Sequence, residues 1–167
     1  MRFRIAVLVA VTSVLTVVSP ASAGPRSLHG HIPTPRGHSA VSDWAFVRHE
    51  LFDLPLGRFI ADAATADRWF DWSTDFCSAP LLGNTGHSYN FRNACRRHDF
   101  GYRNLRLLEH RYGLGRNYWN ATNRRRVDEQ FLADMTGHCS GRSFILQPSC
   151  FTMAHTYFTA VRLAGGP

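Results

Sequence analysis

The reactive chemistry of this 167-residue chain concentrates in Cys95-Arg96-Arg97-His98-Asp99-Phe100-Gly101-Tyr102. On a helix, Cys95, His98, Tyr102 and Leu105 fall on one face. A histidine on such a face is either a core ring with satisfied nitrogens or a working base. Asp99 lies on the neighbouring strip, near Cys95 and Arg103, and by itself reads as an arginine partner. A second periodic stretch puts Asp128, Phe131, Leu132, Met135 and Cys139 on one face. Asp128 therefore points with apolar residues, and a desolvated carboxylate needs a strong donor. His98 is one candidate; Arg97 or Arg124 to Arg126 are the structural alternatives. If His98 is the partner, one ring nitrogen is pinned and the other is free as a general base. No Ser or Cys has an activating context, so water is the expected nucleophile.

A third piece is Phe70-Asp71-Trp72-Ser73-Thr74-Asp75-Phe76-Cys77. A Cys77–Cys95 bond would bring Asp75 beside Asp99. Two adjacent carboxylates repel, and a hard cation relieves the repulsion. Oxygen ligands suit Ca²⁺, which beside a histidine base would polarise a carbonyl and stabilise the developing oxyanion.

Helices must position these residues. From Asp43 onward Trp44, Val47, Leu51 and Leu54 recur at helical spacing until Pro55 and Gly57. Phe59 to Phe70 reads as a second short helix, and Ser73 to Ala94 as a loop broken by Pro80, Gly83, Asn84 and Gly86. Asn93 is the expected N-cap of a helix running to about His110, stopped by Gly113 and Gly115. Asn120 or Thr122 starts another, ending at Gly137. Pro148 sits in the first turn of a last helix with Cys150, Ala154, Tyr157, Phe158 and Val161 on one face. No alternating strand pattern appears. The expected fold is all-α: a small helical domain with two antiparallel catalytic helices, stapled by two disulfides.

Composition places the chain outside several classes. Hydrophobic residues at 44% exclude wholesale disorder, and charged residues at 19% argue against a long coiled coil. Residues 1–23 read as a signal peptide. Arg2 and Arg4 precede an apolar run from Ile5 to Val18, too short to span a bilayer, and Ala21-Ser22-Ala23 is a small-residue cleavage pattern. Their removal takes the net charge from +7 to +5. The protein is thus expected to be secreted and extracellular. Residues 24–42, rich in Pro, Gly, Ser and His, read as a flexible leader or pro-segment, with residues 43–167 forming the catalytic domain. All four cysteines follow residue 24. Of three possible pairings, Cys77–Cys95 and Cys139–Cys150 close the short loops, each able to contribute ~3 kcal/mol.

The FDWSTDFC and CRRHDFGYRN strings resemble the secreted phospholipase A2 group of actinobacteria and some fungi. Arg126-Val127-Asp128 through Met135, followed by Cys139, resembles the helix carrying that group's second catalytic residue. The resemblance covers about residues 60–164. It implies calcium-dependent hydrolysis of the sn-2 ester of glycerophospholipids, releasing a free fatty acid and a lysophospholipid. Carried over by position, His98 is the base and Asp128 its orienter. Asp75, Asp99 and the main-chain carbonyl of Phe76 supply calcium ligands, and Tyr102 contacts the lipid phosphate. The implied partner is a phospholipid membrane or micelle surface, with no nucleic acid and no obligate protein partner, the chain acting as a monomer.

Every one of the 19 basic residues is Arg, and residues 92–126 hold ten of them against Asp99 and Glu109. These arginines, with Tyr112, Tyr118 and Trp119 among them, suit anionic lipid head groups. A nucleic-acid groove would use the same residue types. Two alternatives therefore stand beside the hydrolase. One is a secreted, metal-independent ribonuclease pairing His98 with His110 or His138. The other is a non-catalytic toxin or binding module on the same scaffold.

Overall fold

The computed structural model describes residues 37–76, 89–113 and 115–164. Among them the chain is all-helical. α1 (Ala40–Arg48) leads into a π-helical turn (His49–Asp53), and α2 (Leu56–Asp62) into a 3-10 turn (Ala63–Thr65). The long helices α3 (Arg92–Tyr112), α4 (Ala121–Ser140) and α5 (Gln147–Ala164) follow. The signal-peptide region, the leader up to residue 36 and Cys77 lie outside the described residues, and with Cys77 the expected Cys77–Cys95 bridge. No described helix is long and apolar enough to cross a membrane.

Helix ends follow local hydrogen-bonding chemistry more closely than hydrophobic spacing. α1 begins at Ala40, three residues before Asp43, because Ser39 and Ser42 form a reciprocal capping box. The expected helix from Phe59 to Phe70 is shorter: helical structure stops at Thr65. Beyond it, the Asp67 carboxylate accepts from Trp69 N and the Asp71 carboxylate from Ser73 N, both at 2.9 Å. These side chains offer the backbone a turn in place of the helical ladder. α3 starts at Arg92 rather than after Asn93, since Asn90 Oδ1 accepts from Arg92 N at 3.2 Å. Asn120 caps α4 as expected, accepting from Asn123 N at 2.9 Å. α4 runs past Gly137 to Ser140. Glycine inside a helix costs only about 1 kcal/mol, a penalty that burial of Cys139 and its bridge to Cys150 outweigh.

Two apolar clusters flank α3. Cys95, Phe131, Met135, Cys139, Cys150, Ala154 and Tyr157 join α3 to α4 and α5. Val47, Leu51, Phe59, Phe100, Leu105, Leu108 and Val127 join it to α1, α2 and α4. Between them, Gly101 lets α3 approach its neighbours closely. A Cβ there would meet Val127 Cγ1 at 2.7 Å and Leu51 Cδ2 at 2.9 Å. The glycine of the His-Asp-Phe-Gly-Tyr string is thus a packing requirement, one turn from His98.

Candidate active site

Close packing of α3 on α4 brings His98 Nε2 to 2.9 Å from Asp128 Oδ1. Asp128 is fully buried, so its charge must be met inside the protein. Two further donors meet it: Tyr102 Oη donates to Oδ1 at 2.8 Å, and Arg162 Nη1 from α5 donates to Oδ2 at 2.8 Å. Burial alone would raise the Asp128 pKa. The hydrogen bonds from His98, Arg162 and Tyr102 outweigh it and hold the pKa below its ordinary value. The carboxylate is ionised and accepts from Nε2, so in the neutral ring Nε2 carries the hydrogen and Nδ1 the lone pair. Among the described residues Nδ1 has no hydrogen-bond partner. The ring is gripped by Tyr102 and Phe131, with centroids at 4.4 and 4.8 Å, and its side chain keeps 11% exposure. A fixed imidazole with one nitrogen pinned and the other available is the geometry of a general base.

The segment before Cys77 is tied to α3 one turn away. Asn104 Oδ1 accepts from Asp71 N at 2.9 Å and its Nδ2 donates to Asp71 O at 2.8 Å, while Trp72 packs against Phe100 with its ring tilted. Thr74 then donates its hydroxyl to Asp99 Oδ2. Asp99 has its pKa pushed up to about 6, first by burial and further by the like charge of Asp75, which the Thr74 hydrogen bond only partly offsets. Asp75 lies 3.3 Å from Arg103 Nη2. Arg103 therefore pairs directly with Asp75 and reaches Asp99 only through its charge. Phe76 adopts φ +58, a left-handed conformation that phenylalanine rarely takes. The Arg92 guanidinium sits over its ring at 3.8 Å.

No group of three or more His, Cys, Asp or Glu side chains converges among the described residues. A cation here would draw on the Asp75 and Asp99 carboxylates and on backbone oxygen. That donor set fits calcium: it is all oxygen, and burial, with the like charge of Asp75 added to it, disfavours the ionised Asp99 that a cation would favour.

The structure thus brings His98, Tyr102 and Asp128 into contact and sets Asp75 within electrostatic reach of Asp99. It departs from the sequence expectations in the arginines. Arg97 is a buried partner of Asp134 and also donates to Leu54 O at 2.6 Å, away from Asp128. Arg162, absent from the sequence reading, takes that place. It is 34 residues from Asp128, and its only sequence sign is its position bordering the apolar face of α5. The other histidines considered for acid–base chemistry have different surroundings. His138 Nε2 accepts from Arg142 Nε at 3.2 Å, and His110 is exposed.

Residues 48–165 match the family described as prokaryotic phospholipase A2. The chain is 32% identical over 118 residues to a protein of Beauveria bassiana called secretory phospholipase A2, covering 70% of this chain and 55% of that one. It is 35% identical over 98 residues to a protein of the same name from Arthroderma benhamiae, covering 57% of this chain and 60% of the other. The chain therefore spans little more than half the length of these relatives. With the match running over α3, α4 and α5 together, the chain belongs to the prokaryotic phospholipase A2 family.

Proposed function

We propose that this chain is a secreted phospholipase A2 that hydrolyses the sn-2 ester of glycerophospholipids. The observation that carries the reading is His98 pinned through Nε2 to a fully buried Asp128, itself held by Arg162 and Tyr102. Family membership and the names of the two fungal relatives support the activity and the extracellular setting. The two catalytic helices run antiparallel in this reading. Arg97 meets Asp134 while Gly101 meets Val127, pairs that advance along α3 as they retreat along α4.

His98 Nδ1 takes a proton from water as the water oxygen bonds to the ester carbonyl carbon. Asp128 stabilises the imidazolium that forms and keeps the ring from turning. The tetrahedral adduct collapses by breaking its bond to the glycerol oxygen, which receives the proton back from His98. A free fatty acid and a lysophospholipid leave. Asp75, Asp99 and the Phe76 carbonyl would hold calcium, which supplies positive charge for the ester carbonyl oxygen when bound. Tyr102 acts here as a brace for Asp128. A lipid phosphate needs a donor, and the single hydroxyl hydrogen of Tyr102 already goes to Asp128.

Mixed-chain phosphatidylcholine tests the proposal. Release of the sn-2 acyl chain, abolished by chelator and restored by calcium, is the expected result. Release of the sn-1 chain, or hydrolysis indifferent to chelation, overturns it.

A further inference from the structure

The corner between α4 and α5 presents large apolar side chains to solvent. Phe144 and Ile145 are each 86% exposed and Leu146 46%, among the few large hydrophobics so placed. The corner is held rigidly. Cys139–Cys150 staples it from below, Leu146 N and Gln147 N both donate to Ser143 O, and Gln147 Nε2 donates to Arg142 O at 3.0 Å. Tyr89 donates to Leu146 O at 3.3 Å and tethers the corner to the segment that leads into α3. These bonds fix the backbone of the corner, from which Phe144 and Ile145 project into solvent.

The formal charges in the sequence stretches that carry the corner and its tether have one sign. Residues 135–167 contain no Asp or Glu, and neither do residues 76–98, the sequence stretch that includes Tyr89. Arg142 lies at the base of the corner with its guanidinium 6.0 Å from the Tyr89 ring. Arg92, exposed, covers Phe76 at the start of α3. A protein interface of ordinary stability buries roughly 800 Å² per partner, far more than a knob of three side chains offers. A projecting apolar tip with arginines behind it instead matches a leaflet, where the tip enters the acyl region and the guanidinium groups meet phosphates.

We propose that Phe144, Ile145 and Leu146 form an anchor that inserts into an anionic phospholipid surface, with Arg142 and Arg92 at head-group level. The inference deepens the phospholipase reading, since it names the surface on which the enzyme would work.

Ether-linked phosphatidylglycerol vesicles resist ester hydrolysis, so binding to them is read without turnover. The wild-type protein is expected to co-sediment with them and far less with ether-linked phosphatidylcholine vesicles. The double substitution Phe144→Asp with Ile145→Asp is expected to weaken binding at least about a hundredfold, given the apolar area it withdraws. Arg142→Gln weakens binding severalfold on the anionic vesicles alone. Unchanged melting temperatures for these surface variants show that the fold is intact. Equal sedimentation of wild type and double variant overturns the anchor, as does equal binding to both lipids. A wild-type dimer that the double variant converts to monomer also overturns it, assigning the corner to self-association. Release of fatty acid from dispersed short-chain phosphatidylcholine by the wild-type protein is scored separately. Its absence counts against the enzymatic reading and leaves the binding result standing.

Discussion

Asp128 on α4 and Asp99 on α3 both lie beside His98, yet their pKa values move in opposite directions. Asp128 is the more deeply buried, and its pKa is lowered. Asp99 is only partly buried, and its pKa is raised to about 6. The difference lies in the donors. Asp128 receives an imidazole, a phenol and a guanidinium, two of them able to carry positive charge. Asp99 receives one threonine hydroxyl, faces the like charge of Asp75, and has His98 and Arg103 only as charges at a distance. Depth alone does not decide ionisation; the number and charge of the partners do. The Asp128 carboxylate is met by donors within the protein itself, whereas at Asp99 burial and like charge still disfavour the ionised form.

The largest expected effect comes from removing the group that Asp128 orients. His98→Gln is expected to reduce turnover about a thousandfold, within the range for loss of a positioned base, while the melting temperature changes little. A stopped assay on phosphatidylcholine measures this, and a loss under tenfold would remove His98 from the role of base.

Next, the two carboxylates are expected to respond oppositely to neutralisation. A depressed folded-state pKa means that Asp128 contributes stability above its unfolded value near 3.8, lost as pH falls through the lower folded value. Asp128→Asn should therefore destabilise the protein near neutral pH by about 3 kcal/mol, the scale for breaking a buried ion pair. Asp99 has the opposite sign: its charge costs stability above about pH 6, and protonation relieves that cost as pH falls below it. In calcium-free buffer, Asp99→Asn should raise the melting temperature at pH 8 and leave it nearly unchanged at pH 4. Parallel shifts for the two variants would break the comparison.

Calcium sharpens the same contrast. Adding it at pH 8 should raise the melting temperature of the wild-type chain by several degrees, as expected for a ligand held only by the folded state. Asp99→Asn should abolish the shift and Arg162→Gln should preserve it. Calorimetric titration of the three proteins reads this directly.

The smallest effects belong to the outer donors of Asp128. Arg162→Gln is expected to lower kcat about tenfold, the scale of one charge-assisted hydrogen bond, with KM nearly unchanged. Tyr102→Phe is expected to cost about threefold, because a neutral donor is worth less. If Tyr102→Phe instead raised KM alone, Tyr102 would be contacting substrate.

Much of this site was legible in the residues. His98, Tyr102 and Asp128 were placed on apolar helical faces by three- and four-residue spacing, a local property that survives folding. Asn120 and Pro148 marked helix starts because capping is also local. The early end of the second helix was missed because Asp67 and Asp71 compete for backbone hydrogens, which hydrophobic spacing does not register. Arg162 was missed because its contact spans 34 residues. Several arginines bordered Asp128 equally well on paper, and nothing local separated them.

The order of residues along the chain determined that there would be helices, which side chains would share their faces, and that a buried Asp128 would need a strong donor, with His98 among the candidates. Those outcomes follow from periodicity and from the cost of an unpaired charge. Only the tertiary structure decided which arginine met Asp128, that Arg97 went to Asp134 and Arg103 to Asp75, and that Gly101 had to be bare for α3 to approach Val127. These are choices among chemically equivalent partners, settled by distances between elements far apart in the chain.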